Sequence, residues 1–325
     1  MKNHKVFLTM AIPKVAIDRV AQIAEVQLSP YGVPCPKDML VKELAEAEAV
    51  IADGSTIFDA QVMKAARKLR IVARFGVGFD NVDLKAATER GVYVSNTLGV
   101  LSDAVAELTI ALMLALSRRL IEAHAYVKSR KWTELSDFPL GIDLSGKTLG
   151  IIGLGQIGME VARRASGLRM AILYYDVVRR EDAERLYEAK CSSLENLLKD
   201  SDFITLHVPL ASKTEKLIGR SELALMKPTA YLINTARGKV VDQAALWQGL
   251  KEGRIAGAAL DVYEVEPIAR DEPLLQLDNV ILTPHIGSAT AETRTKMALT
   301  AADDVIRVLK GEKPLNLVNR ELLES

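Results

Sequence analysis

KTLGIIGLGQIGMEVARRASGLRMAILYYD, residues 147–176, decides the fold. A short apolar run, LGII, leads straight into GLGQIG, which places Gly153, Gly155 and Gly158 in a GxGxxG pattern. Such a pattern alone is weak, because glycines serve many tight turns. Here it joins a strand to the helical stretch MEVARRASGL, and a second strand, AILYYD, follows. In that setting the first glycine permits a tight turn, the second lets a pyrophosphate approach the backbone, and the third lets helix and strand pack closely. Asp176 closes the second strand, where a carboxylate accepts hydrogen bonds from ribose hydroxyls and repels a 2′-phosphate. The reading favours NAD over NADP; Arg179 and Arg180, just beyond, keep NADP open as the lesser alternative.

Working outward, the same alternation continues in both directions. Downstream come FITLHV (203–208), AYLINTA (230–236), IAGAALDV (255–262) and VILTPHIG (280–287). Upstream come KVFLT (5–9), EVQLS (25–29), AVIAD (49–53), RIVARF (70–75) and YVSNT (93–97), with helices predicted over 38–48 and 58–68. Strands of this length separated by helices imply α/β architecture with parallel sheets covered on both faces. Residues 102–120, rich in Ala and Leu nearly all round, predict one long helix buried between two bodies. A helix after Ala289, to about Lys310, and a polar tail are too small for a domain and should pack back on the first one. The expected fold is thus two doubly wound parallel-sheet domains with a cleft between them. An outer, substrate-binding domain comprises residues 1–99 and 291–325, and a Rossmann-type NAD-binding domain, residues 100–290, is inserted in it.

Composition narrows the function. The chain has 325 residues, enough for two cores. Its 42 basic and 42 acidic side chains offer no basic excess for nucleic acid or an anionic membrane surface. The most apolar later stretch, Leu108–Leu116, is well short of a bilayer span of roughly 20 residues, and the start lacks a signal-peptide pattern. Two distant cysteines, Cys35 and Cys191, show no metal-ligand spacing, so no metal is expected and a reduced, cytoplasmic setting follows.

Only four histidines occur, at 4, 124, 207 and 285. A hydride exchange with a carbonyl needs a proton donor and a group to hold the substrate. His285, in TPHIGS at a strand end, is the best donor, since imidazole titrates near neutrality. Glu266, in YEVEP, is a candidate partner for it, with Glu264 a rival. Arg237, in NTARGKVVD, carries a planar fork suited to a carboxylate. His207 is expected to line the cofactor region without doing chemistry.

Taken together, KTLGIIGLGQIG, LYYD, SDFITLHVPL, MKPTAYLINTARGKVVD, GAALDVYEVEP and LDNVILTPHIGSAT resemble, in order, blocks of the D-isomer-specific 2-hydroxyacid dehydrogenases. The resemblance implies that His285 is the acid/base, that Glu266, directly before the proline, supports it, and that Arg237 clamps the substrate. It implies cofactor contacts at Gln156, Ile157, Pro209, Thr235, Ala236, Asp261, Gly287 and Ser288. Val77 and Gly78, in RFGVGFDNVD, correspond to a loop whose N–H groups bind the substrate carboxylate. A homodimer through the cofactor domain and closure of the cleft are also implied. NTLGVLSDAVAELTIALMLA looks most like the glyoxylate/hydroxypyruvate reductases, which reduce small 2-keto acids to D-2-hydroxy acids. Arg74 is more reminiscent of the phosphoglycerate dehydrogenase branch, where it would meet the substrate, and where the reductases carry a second tryptophan after Trp132 this chain has Leu135. Two alternatives therefore stand: oxidation of 3-phosphoglycerate, and a non-catalytic NAD-sensing or corepressor protein.

Overall fold

The computed structural model describes residues 4–134 and 138–323. Leu135, at the position of the second tryptophan noted above, lies outside the described residues. The chain divides into two compact units, Met1–Leu101 with Ser288–Ser325, and Ser102–Gly287.

The first unit holds five parallel strands: β1 (His4–Leu8), β2 (Ala24–Leu28), β3 (Ala49–Ala52), β4 (Ile71–Arg74) and β5 (Tyr93–Ser95). Their order, β2-β1-β3-β4-β5, is the doubly wound arrangement in which the chain reverses direction at β1. β3 and β4 are buried along their whole length, as strands covered on both faces must be, whereas β2 at the edge is largely exposed. Phe7, Leu40, Leu44, Val50, Phe58, Met63 and Val72 form one core cluster. The helix Ala291–Leu309 starts at Thr290, whose hydroxyl accepts the Thr293 N–H, and packs on the helix Lys14–Val20 and on β3 and β4. The tail then returns to β5: Val318 N–H donates to the Val94 carbonyl, and Asn319 Oδ1 accepts from Val94 N–H at 2.8 Å.

The second unit holds seven parallel strands: β6 (Thr148–Ile152), β7 (Ala171–Tyr175), β8 (Lys190–Cys191), β9 (Phe203–Leu206), β10 (Tyr231–Asn234), β11 (Gly257–Leu260) and β12 (Val280–Leu282). Their order, β12-β11-β10-β9-β6-β7-β8, puts the topological switch between β6 and β9, the arrangement of dinucleotide-binding sheets. One cluster, with Leu112, Met113, Leu116, Val161 and Phe203, covers one part of this unit's core; a second gathers Leu197, Ile204, Leu223, Leu246 and Leu260. Each such buried side chain contributes about 1.5–3 kcal/mol.

The predicted long helix differs from what forms. It ends at Ser117, Arg119 takes a left-handed φ of 50°, and a second helix, Leu120–Lys128, follows with no buried residue. Leu120 and Ile121 continue the apolar pattern, which hid the break. Nor is the helix Ser102–Ser117 covered all round: one side packs on the helix Gln156–Gly167 and on β10 and β11, while Leu114 is exposed. No helix among the described residues is long and apolar enough to cross a membrane.

Candidate active site

Three consecutive neighbours in the larger sheet, β10, β11 and β12, carry the residues of interest just past their carboxyl ends. After β10 the Asn234 amide folds the chain back on itself, donating to the Arg237 carbonyl (2.8 Å) and accepting from Ala236 N–H (3.0 Å). Gly238 then presses on the next segment: a Cβ there would lie 1.8 Å from the Tyr263 carbonyl carbon. Only a glycine allows that approach.

After β11, Asp261 is buried and organises the loop beyond β12. Its Oδ1 accepts from Thr283 Oγ1 (2.6 Å) and Ile286 N–H (2.8 Å), and its Oδ2 from Gly287 N–H (2.8 Å). The Tyr263 hydroxyl donates to the Thr283 carbonyl at 2.9 Å. Burial, reinforced by the charges of Asp261 and Glu266, pushes that phenol up to about 12, so it stays a donor. Held this way, His285 adopts φ 54°, an uncommon conformation for a residue with a side chain.

The imidazole meets Glu266: His285 Nδ1 lies 2.7 Å from Glu266 Oε2, and Glu266 Oε1 accepts from Tyr263 N–H at 3.0 Å. Burial alone would raise the Glu266 carboxyl. The His285 hydrogen bond and charge, the Tyr263 N–H and the positive charge of Arg237 outweigh it and hold the carboxyl below its usual range. An ionised carboxylate only accepts, so Nδ1 carries the proton and Nε2 is the nitrogen left for chemistry. Glu264, the rival, instead accepts from Gln243 N–H at 3.1 Å.

The Gly-rich turn follows β6. Gly153 has φ +92° and lies against the His207–Val208 backbone, while a Cβ on Gly158 would be 2.2 Å from the Gly153 carbonyl oxygen. Around Gly155, by contrast, a Cβ would meet nothing within 4 Å. The helix Gln156–Gly167 begins there without a side-chain cap, so the N–H groups of its first turn lie at the positive end of the helix dipole without an intrahelical acceptor. An uncapped helix start, an open glycine and Asp176 at the end of β7 together fit a dinucleotide. Asp176 itself accepts from Leu154 N–H (2.6 Å) and Val178 N–H (3.1 Å). Thr235 is buried, its hydroxyl 3.0 Å from that of Thr109, whereas Pro209 is exposed. Both ring nitrogens of His207 are buried without a hydrogen-bond partner among the described residues, and burial drives its imidazole down to about 3.

In the smaller unit, the loop after β4 turns its carbonyls inward. Gly76 O accepts from Thr97 N–H, Val77 O from Asn96 Nδ2 (2.8 Å) and Gly78 O from Arg74 Nε (3.2 Å). The N–H groups of Val77 and Gly78 have no acceptor among the described residues. Arg74, expected to meet the substrate, has a buried side chain, and its Nη1 donates to the Ala52 carbonyl at 3.2 Å. Arg74 shapes the loop from behind. Ser288, half-buried, belongs to this same unit.

Gly238, Tyr263 and Thr283 escaped the sequence reading. Gly238 had a signal in NTARGKVVD; the other two reach the site only through long-range hydrogen bonds.

The chain belongs to the D-isomer specific 2-hydroxyacid dehydrogenases, whose NAD-binding-domain model matches residues 110–287. It is accordingly an NAD(P)-dependent oxidoreductase. It is 48% identical to a glyoxylate reductase of Korarchaeum cryptofilum, over 98% of this chain and 97% of the relative. Among solved structures, a Thermus thermophilus protein superposes with a TM-score of 0.91 at 41% identity, covering 97% of this chain and 99% of that one. An NADPH-dependent glyoxylate/hydroxypyruvate reductase from Sinorhizobium meliloti, in complex with NADP and malonate, gives 0.86 at 31% identity, covering 97% and 96%.

Proposed function

We propose that this enzyme reduces glyoxylate, hydroxypyruvate or a similarly small 2-keto acid to the D-2-hydroxy acid, and runs the reverse, with His285 as the acid/base. The observation that carries the reading is the 2.7 Å pair of His285 and Glu266 with the charge of Arg237 acting on the same carboxylate. Held by Glu266 at Nδ1, the imidazole gives a proton from Nε2 to the substrate oxygen on reduction and takes it back on oxidation. Arg237 holds the substrate carboxylate and carbonyl, and the Val77 and Gly78 N–H groups bind the carboxylate. The bound nicotinamide supplies the hydride.

Gly153, Gly155, Gln156, Ile157 and Gly158 hold the pyrophosphate and Asp176 the ribose, while Pro209, Thr235, Ala236, Asp261, Gly287 and Ser288 line the rest of the cofactor. The S. meliloti relative is NADPH-dependent, but Asp176 here supports NAD, since its carboxylate repels a 2′-phosphate. The glyoxylate-reductase relatives support the substrate size. Arg74 is buried and donates to the Ala52 and Gly78 carbonyls, which counts against the phosphorylated-substrate alternative. The smaller unit, expected from sequence at residues 1–99 with 291–325, serves as the substrate-binding domain, and the larger, expected at 100–290, as the NAD-binding domain. The exposed apolar side chains Leu114, Leu120, Ile121, Val127 and Trp132 support a homodimer through the latter. We place the enzyme in the cytoplasm.

The test is NADH oxidation, followed by absorbance, against glyoxylate, hydroxypyruvate, pyruvate and 3-phosphohydroxypyruvate. Fast turnover of the first two is expected. Preference for the phosphorylated acid, or silence across the panel, overturns the reading.

A further inference from the structure

Both arginines that follow β7 are already engaged by carboxylates. Arg179 holds Glu184 with Nε (3.0 Å) and Nη2 (2.9 Å), and Glu184 also accepts from the Tyr174 hydroxyl (2.7 Å). Arg180 grips Asp182 through Nε (3.1 Å) and Nη2 (2.8 Å). Its remaining arm, Nη1, reaches back 2.6 Å to the Leu154 carbonyl in the Gly-rich turn. The Leu154 N–H in turn donates to Asp176 at 2.6 Å. One residue of the pyrophosphate loop, Leu154, is therefore held at both its N–H and its carbonyl by the segment that reads the ribose. The Asp182 hydrogen bond is the main cause that raises the Arg180 guanidinium, and the charge of Asp176 adds a smaller one.

We propose that Asp182 is a cofactor-selectivity residue: it occupies the fork of Arg180 and turns it toward Leu154, so that this cation does not serve a 2′-phosphate. The proposal rests on the NAD reading above. Asp182 holds the Nε–Nη2 edge, a pair of parallel donors that matches a phosphate, and Leu154 holds Nη1. A carboxylate there blocks that edge and adds negative charge to the neighbourhood of Asp176. Selectivity thus comes from repulsion by Asp176 and from withholding the cation that would relieve it. Arg180 is a positioning residue for the pyrophosphate loop in the same arrangement.

The test uses the full-length protein and its Asp182→Asn, Asp182→Ser and Asp182→Glu variants. Dissociation constants for NADH and NADPH come from nicotinamide fluorescence titration, and melting shifts are measured with 5′-AMP and 2′,5′-ADP. In Asp182→Asn the ratio of the NADPH to the NADH constant should fall about tenfold, the scale of one hydrogen bond to a charged group. The shift with 2′,5′-ADP should grow, and Asp182→Glu should keep the wild-type ratio. Adding Arg180→Gln to Asp182→Asn should abolish the gain. Asp182→Ser gives the same reading if the Asn variant does not fold. A ratio within twofold of wild type in a folded Asn or Ser variant overturns the proposal. A wild-type preference for NADPH instead overturns the NAD assignment, and the change from wild type to variant still reads Asp182.

Discussion

His285 Nδ1 lies 2.7 Å from Glu266 Oε2, and the other oxygen of that carboxylate accepts the Tyr263 N–H. The imidazole is thereby fixed in orientation and in tautomer by a group that is itself fixed by backbone. Replacing His285 by Ala should lower kcat/KM for the keto acid about 100-fold or more, the usual scale for a general acid/base. NADH affinity, read by fluorescence titration, should stay near wild type. Full activity in the variant would remove His285 from its role.

Glu266→Gln keeps the size of the side chain and loses the charge. Turnover should fall on the order of tenfold or more, as when a histidine loses its orienting partner. The Glu266 carboxyl is held below its usual range, so the folded state gains from its ionisation above the ordinary carboxylate value and loses that gain as pH falls through the depressed one. Urea denaturation should therefore separate wild type from Glu266→Gln at pH 7, and the difference should shrink on acidification. A gap that widens at low pH would contradict this.

His207 makes a pH signature of opposite origin. Its imidazole is pushed from 6.5 down to about 3 by burial, so between those values the unfolded chain takes up a proton that the native one refuses. Stability should fall by about 1.4 kcal/mol per pH unit as pH drops through that window on account of this residue alone. His207→Gln should flatten the slope measured by denaturation between pH 7 and 4; an unchanged slope would mean the native state accommodates the charge.

Gly238→Ala forces a methyl group against the Tyr263 carbonyl carbon. The two segments must part, at about 1–3 kcal/mol by the usual cost of overpacking. Keto-acid turnover should fall although no group with acid/base chemistry is touched. Melting temperature and kcat/KM measured together check this, and a stable, fully active variant would refute it.

Arg74→Lys keeps the charge and loses the fork that reaches Gly78 and Ala52. The KM for the keto acid should rise several-fold as the Val77–Gly78 backbone loosens, with the NADH constant unmoved. A change in NADH affinity alone would point elsewhere.

The sheets were largely legible because buried parallel strands are short apolar runs with turn residues on either side, as in AVIA and TLGII. Lys190–Cys191 was not, being a two-residue edge pairing with no apolar run. The break after Ser117 was invisible because the pattern of apolar side chains runs on through a residue whose backbone has turned left-handed. In the site, His285 stood out by residue type and by its place at a strand end, whereas Glu266 was separated from Glu264 only by resemblance, through its position directly before the proline. Arg74 drew notice through resemblance alone, and the carbonyls that accept its hydrogen bonds, Ala52 and Gly78, are brought beside it only by the fold.

Arg237, Glu266 and His285 hang from three strands that are neighbours in one sheet, so a lattice of main-chain hydrogen bonds, with a repeat of about 4.8 Å, sets the ruler for their lateral spacing. That ruler is indifferent to side-chain identity. Loops elsewhere can be rewritten for a larger or smaller acid without recalibrating it. The same sheet can thus serve as a fixed instrument to which different substrate-reading parts are fitted.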